Sequence, residues 1–297
     1  MTNLEFVRRQ VSANLPEDRN IRASVLLLCA ILLGGGMSVC IRFLGDDFSP
    51  VQIVFVRSCV ILSVLLPLLM RTGLSILKTD RPLMILTRAA SGFVGQIFGV
   101  LAIINLPLAE AQALGFTRAF MVALLSLVFL HEAITRLRWF AIIMGFAGVI
   151  IIAQPQTGLN SFALFALASA FCFSINTILV KILVATHSRQ TLMTHAAFFQ
   201  CLFASIPTFF VFQMPQSSDW IWFVLMGVIA LCVQPLSLAA YRIGEVSRLA
   251  PVDFTRLITA TLIGFCVFQE VPSFMFWLGA VLIVGANLIV MSQKDPQ

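Results

Sequence analysis

Charge is what this sequence has least of. Only 11% of its 297 residues are Asp, Glu, Lys or Arg, against 60% apolar, where a water-soluble domain carries about 25% charge and about 45–50% apolar residues. So little charge cannot coat a globule, which excludes a soluble enzyme, a secreted module and a disordered regulator. Tyrosine is nearly missing as well: Tyr241 stands alone against 27 phenylalanines, a ratio that suits rings turned to lipid rather than to water. The seven cysteines form no CxxC pair and each lies in an apolar run. A disulfide or zinc framework is therefore not expected, and the cysteines read as small buried residues. No GxxxxGK[ST] loop offers an ATP site, no HExxH or Cys/His cluster offers a metal site, and no nucleophile motif gathers the scattered Ser, His and Asp. An enzyme, a cofactor, a metal and a nucleic-acid partner are accordingly not expected. The polar segment 1–22 leads into an apolar run without a cleavage site, so that run is expected to stay as a membrane anchor.

What is present is a succession of apolar runs. A helix crosses the hydrocarbon in about 20 residues, and breaks at Pro, Gly and charge clusters delimit ten candidate spans. These are 23–44, 50–70, 83–104, 108–131 and 137–154, then 161–184, 191–212, 220–241, 247–269 and 274–292. The connections are too short to hold a soluble domain, and lipid offers the backbone no hydrogen-bond partner, so the spans must be helices. Cations crowd one side of this layout: Arg8, Arg9, Arg19, Arg22, Arg71, Lys78, Arg81, Arg88, Arg136, Arg138, Lys181, Arg189, Arg242, Arg248 and Lys294, against Arg42 on the other. The bias predicts that the 1–22 segment and the 293–297 tail are both cytoplasmic.

Shifted by 138 residues, the sequence aligns with itself. Phe116-Thr117-Arg118 falls on Phe254-Thr255-Arg256, Glu132 on Glu270, Trp139 on Trp277, Gln96 on Gln234, Gln52 on Gln190, Arg57 on His195 and Ser38 on Asn176. Each unit, 23–154 and 161–292, holds an odd number of spans, so the second copy enters the membrane upside down. The expected fold is all-α: a polytopic membrane protein of ten transmembrane helices in two inverted five-helix repeats. Such repeats characterise many secondary transporters, with the substrate near the midplane between the halves.

The fourth-span stretch Ala113–Glu132, the ninth-span stretch Leu249–Glu270 and the segments Trp139–Gly148 and Trp277–Gly285 carry a resemblance to the drug/metabolite transporter superfamily, in its EamA-type branch, over nearly the whole chain after residue 20. Within that branch, Arg81-Pro82 and the Pro251–Glu270 run are most similar to bacterial S-adenosylmethionine uptake transporters. The resemblance implies a central cavity lined by spans one, three, four, six, eight and nine, and alternating access.

An ionisable group at bilayer depth costs about 2.5–3.5 kcal/mol on insertion scales, so each one needs a reason. Arg118 and Arg256 lie at matching depths of spans four and nine, entered from opposite sides. Together they can hold a carboxylate or phosphate through paired hydrogen bonds, or each can instead pair internally. Asp253, three residues before Arg256, favours the internal pair there and is also a substrate-binding candidate, an acidic partner for a sulfonium; Gly115 gives Arg118 no such neighbour. Gln96 and Gln234 both donate and accept near mid-span, as polar lining or as interhelical bonds, and Ser38 and Asn176 follow the same logic. Gly35 and Gly36, within Gly34–Gly36, read as a hinge or a close helix approach; Gly92, Gly95 and Gly99 read as a packing seam. Tyr241 and Arg242 read as a gate or interface anchor, Arg57 and His195 as structural. Glu132 and Glu270 read as groups that organise a turn or pair with an arginine.

The expected function is secondary transport of a small amino acid-like, carboxylate-bearing or zwitterionic metabolite across the inner membrane, with S-adenosylmethionine uptake as the alternative. A non-transporting scaffold or lipid-handling protein is the rival of another class. The expected partners are a small-molecule substrate and the lipid bilayer, with self-association left open.

Overall fold

The computed structural model describes residues 3–72, 79–129, 135–153, 161–184, 186–187, 189–243, 249 and 252–292, with side chains described except at 3–18, 65–72, 161, 189–190, 193, 242 and 290–292. The side chains of Arg8, Arg9, Arg71, Lys78, Glu132, Arg189, Gln190, Arg242, Arg248 and Lys294 lie outside that set.

Eleven helices follow one another among the described residues: α1 Asn3–Gly45, α2 Pro50–Thr72, α3 Pro82–Asn105, α4 Leu108–Gly115, α5 Thr117–Phe129, α6 Arg136–Ala153, α7 Ser161–Leu183, α8 Arg189–Val211, α9 Asp219–Ile243, α10 Thr255–Phe268 and α11 Phe274–Ser292. Taking α4 and α5 together as one crossing, seven helices are long and apolar enough to span a membrane, and three shorter apolar helices cover 50–64, 255–268 and 274–289. Large side chains stand bare on the outside, such as Phe209 at 83%, Phe210 at 79% and Val281 at 69% exposure. No water-soluble surface carries so many; hydrocarbon is the solvent that suits them.

Two features differ from the sequence reading. First, α1 starts at Asn3, about twenty residues before its expected span, although its apolar part begins only near Arg19. Good helix formers such as Glu5, Arg8, Arg9 and Gln10 carry it past the apolar segment. Second, spans four and nine are each interrupted. Phe116 separates α4 from α5: its N–H donates to Ala113 O at 3.1 Å, and its carbonyl accepts from Ala119 N–H at 3.2 Å. Helical Val252 and Asp253 precede Phe254, whose carbonyl accepts from Leu257 N–H at 3.0 Å. Hydroxyls one residue later explain both interruptions. Thr117 Oγ1 donates to Leu114 O and Thr255 Oγ1 to Val252 O, each at 2.6 Å, competing with the backbone bonds that would continue the helix.

Glycine sets the closest helix approaches. A Cβ on Gly148 of α6 would lie 2.7 Å from Gly279 O of α11, and one on Gly279 would lie 2.6 Å from Gly148 O. Backbone therefore touches backbone across this pair of repeat-related helices. On the α3–α7 pair, Ser169 Oγ donates to Gly95 O at 2.7 Å, and a Cβ on Gly95 would meet Cys172 Cβ at 3.0 Å. The α1–α9 pair, its repeat counterpart, closes instead on Ala23, Leu27, Ile31 and Ala240. Ala23, Leu27 and Ile31 occupy one stripe of α1, as helical periodicity requires.

Candidate functional site

The two interrupted spans bring their matched motifs face to face. Phe116 and Phe254 pack with ring centroids 5.2 Å apart, and each is followed two residues later by an arginine. Arg118, at the start of α5, donates through Nη2 to Thr177 Oγ1 of α7 at 2.6 Å, and its guanidinium carbon lies 5.6 Å from the Phe173 ring centroid. Arg256, at the start of α10, donates through Nη2 to Asp253 Oδ1 at 3.1 Å. The two arginines feel each other electrostatically, and both feel Asp253 and Tyr241. The group therefore carries two positive charges and one negative, edged by aromatic rings.

The repeat explains why its two arginines are held differently. The position matching Thr177 is Val39, which has no oxygen for Arg256; the position matching Asp253 is Gly115, which has no carboxylate for Arg118. Arg118 is thus left with a neutral acceptor and its charge uncompensated within its own repeat. A hydrogen bond to a charged group contributes about 1.5–3 kcal/mol, enough to fix the guanidinium without neutralising it. Arg256 has its counter-ion, but the pair is open, with side-chain exposures of 48% and 29%. Solvent screening makes such a pair weak and leaves both ends available to a ligand.

The remaining sequence candidates lie in different settings. Tyr241 is exposed and belongs to the electrostatic group. Gln234, seven residues earlier on α9, is exposed and shares its face of the helix. Gln96 sits among α2, α3 and α8, its amide oxygen accepting from Arg57 Nη2 at 3.1 Å, with the Gln200 side-chain amide against it. Ser38 is buried and turns back to donate to Gly34 O, four residues earlier, at 3.3 Å. Asn176 donates to Arg88 O at 2.9 Å and fills the space beside Gly92. At Gly35 a Cβ would meet Ile263 Cδ1 of α10 at 2.6 Å, at Gly36 it would meet Ile229 Cδ1 at 3.7 Å, and α1 runs through both without a break. Thr177 and Phe173 were missed; the signal for Thr177 was a hydroxyl where the other repeat carries valine. A cleft of about 510 Å³ between α3 and α8 is lined by apolar side chains with Thr79 and His195 and touches none of these arginines. Among the described residues no His/Cys/Asp/Glu cluster has the makings of a metal site.

The profile of the EamA-like transporter family matches residues 21–154 and again 160–292. The chain belongs to the EamA-like transporter family. Among its relatives is a riboflavin transporter of Brucella anthropi, 29% identical over 82% of this chain and 89% of the relative. Another is an S-adenosylmethionine uptake transporter of Rickettsia prowazekii, 25% identical over 85% of this chain and 87% of the relative. A crystal structure 19% identical superposes with a TM-score of 0.60 over 90% of this chain and 95% of that one, which is a likeness of fold. This EamA-like protein is thus a multi-pass integral membrane protein and a small-metabolite transporter, not an enzyme, and the scaffold reading gives way.

Proposed function

We propose that this transporter carries a flat, carbonyl-rich heteroaromatic metabolite of the riboflavin type, recognised between the interrupted spans. The observation that carries the reading is Arg118: a guanidinium held by a neutral hydroxyl and laid beside Phe173. Such a group offers N–H donors to ring carbonyls and a cationic plane to a stacked ring. Phe116 and Phe254 supply a further apolar surface, and Tyr241 with Gln234 supplies hydrogen-bonding groups for a polyol chain. The net positive balance of Arg118, Arg256 and Asp253 favours a neutral or anionic ligand over a cation. Ser38, Gln96 and Asn176 take structural roles in this reading, since each already spends its polar group on the protein. Gly35 serves close approach of α1 to α10 rather than bending.

Asp253 favours a second reading. Half-exposed beside Arg256, it presents both signs to a ligand, which suits a zwitterion with a carboxylate on arginine and a cationic centre on Asp253, as in S-adenosylmethionine or an amino acid. The cation bias of the sequence supports placement in the inner (plasma) membrane with both termini cytoplasmic.

Uptake of radiolabelled riboflavin, S-adenosylmethionine and amino acids into parallel sets of proteoliposomes, each with excess unlabelled compounds of all three kinds as competitors, tests the choice. Saturable uptake blocked by riboflavin alone supports the first reading. Uptake only of S-adenosylmethionine or an amino acid replaces it with the second.

A further inference from the structure

At the end of the bundle where α1 stops and α4 begins lies an ionic cluster that substrate recognition does not use. Arg42, in the last turn of α1, brings Nη2 to 2.8 Å from Glu270 Oε1. Its Nη1 donates to Leu106 O at 2.7 Å and to Ile103 O at 3.2 Å, at the end of α3. The Arg42 guanidinium also lies 5.1 Å from the centroid of the Phe268 ring. Glu270 stands just beyond α10, after Gln269 turns the chain through φ 57. The Glu270 N–H donates to Gly264 O at 2.9 Å, and a Cβ on Gly264 would lie 2.8 Å from the Glu270 carboxylate. Glycine at 264 thus lets the carboxylate fold over the helix end.

The other carboxylate oxygen, Oε2, accepts the backbone N–H of Leu108 at 2.7 Å. Leu108 is the first residue of α4, where an unpaired N–H and the positive end of the helix welcome a carboxylate. One carboxylate from the second repeat therefore holds two groups of the first, a guanidinium and a helix N-terminus. Side-chain exposures of 23% for Arg42 and 15% for Glu270 place the pair mostly out of solvent, where charge-assisted contacts keep more of their strength than on an open surface. Glu110, in the first turn of α4, acts electrostatically on Glu270 from close by.

We infer that Glu270 is the latch that closes this end of the transport path, with Arg42 and the Leu108 N–H as its catch. Alternating access needs contacts between the repeats that form at one end while they release at the other. This cluster has the properties such a contact requires. It joins the repeats at a helix end, and it is built to let go: when Glu270 leaves, Arg42 keeps the Leu106 and Ile103 carbonyls, so no guanidinium is stranded. The inference rests on membership of a transporter family and not on which metabolite is carried.

The test uses the full chain in proteoliposomes, its native cysteines replaced by serine or alanine, with Thr259→Cys as reporter. Thr259 faces Gly35 between α10 and α1, five residues before Gly264, over which the Glu270 carboxylate folds, and hence about 7–8 Å deeper along the helix. A membrane-impermeant maleimide is added from the Glu270 side, without substrate, so the result stands apart from the substrate reading. Glu270→Gln keeps an acceptor for Leu108 N–H but loses the charge, and its labelling rate should rise about tenfold over the parent, the change that about 1.4 kcal/mol produces. Glu270→Ala and Arg42→Gln should move in the same direction. Rates within about twofold of the parent in every variant that keeps its gel-filtration profile overturn the latch; Glu270→Gln alone decides if the others fail to fold.

Discussion

Phe116 and Phe254 stand at the same place in the two repeats and pack against each other with tilted rings, centroids 5.2 Å apart. A residue that meets its own repeat counterpart lies beside the pseudo-two-fold axis relating the halves. Both phenylalanines sit where a span is interrupted, and both precede a threonine that caps a carbonyl at 2.6 Å and an arginine of the electrostatic group around Asp253. The Phe-Thr-Arg motif therefore does three jobs in three consecutive residues: it packs the axis, breaks the helix and delivers a charge.

Thr177→Val gives the second repeat the residue that the first carries at Val39, and it strips Arg118 of its acceptor. With the guanidinium still charged but no longer oriented, the KM for uptake should rise about tenfold, consistent with loss of a charge-assisted hydrogen bond. Thermal stability should fall by about 1.5 kcal/mol, the low end for a hydrogen bond to a charged group, because Arg118 is exposed. Thr177→Ser should restore the wild-type KM. Concentration-dependent uptake alongside thermal unfolding checks both halves of this expectation.

Asp253→Asn removes the negative charge from the group and leaves Arg118 and Arg256 opposed only by solvent. Neutral or anionic competitors should hold or gain affinity, and cationic ones should lose about tenfold, the change that about 1.4 kcal/mol produces. Competition against labelled substrate reads the change. Equal losses for both classes point to a purely structural role for Asp253.

Gly148→Ala and Gly279→Ala each push a methyl group against a carbonyl on the facing helix, at 2.7 and 2.6 Å. Backbone cannot swing aside as a side chain can, so each should destabilise the protein by about 1–3 kcal/mol. Gly34→Ala is the control. A Cβ there meets nothing within 4 Å, and alanine is the better helix former by about 0.5–1 kcal/mol. Thermal unfolding in one detergent should rank Gly34→Ala at or above wild type and the other two below it.

Arg57 reaches Gln96, which also meets Gln200, so three helices converge on one intramembrane polar group. Arg57→Met with Gln96 retained leaves a half-buried amide short of a donor. It should lower the melting temperature while leaving the order of substrate preference unchanged. A change in preference places Arg57 on the substrate path instead.

The spans were legible because apolar length is written along the chain, and the repeat was legible because rare residues such as Arg118 and Arg256 recur at one spacing. What tertiary contacts decide was not. Gln96 and Gln234 look equivalent in sequence, yet only Gln96 finds Gln200, because the position matching Gln200 is Leu62. Ser38 matched Asn176, but its hydroxyl satisfies Gly34 O in its own helix while Asn176 reaches across to Arg88 O. The helix breaks at Phe116 and Phe254 depend on a threonine choosing a backbone carbonyl, a local competition that hydropathy does not record. The Glu270 contact with Arg42 joins residues of opposite repeats, beyond the reach of any local pattern.

The most direct measurement of the central claim is the melting temperature of purified wild type, Arg118→Gln and Arg256→Gln against riboflavin, S-adenosylmethionine and a set of amino acids. A ligand that binds only the folded state raises the melting temperature, by an amount that grows with the logarithm of its concentration over Kd. The expected result is stabilisation of wild type by riboflavin, abolished in Arg118→Gln and reduced in Arg256→Gln. Stabilisation that survives both substitutions, or that comes only from cations, contradicts a site between the interrupted spans.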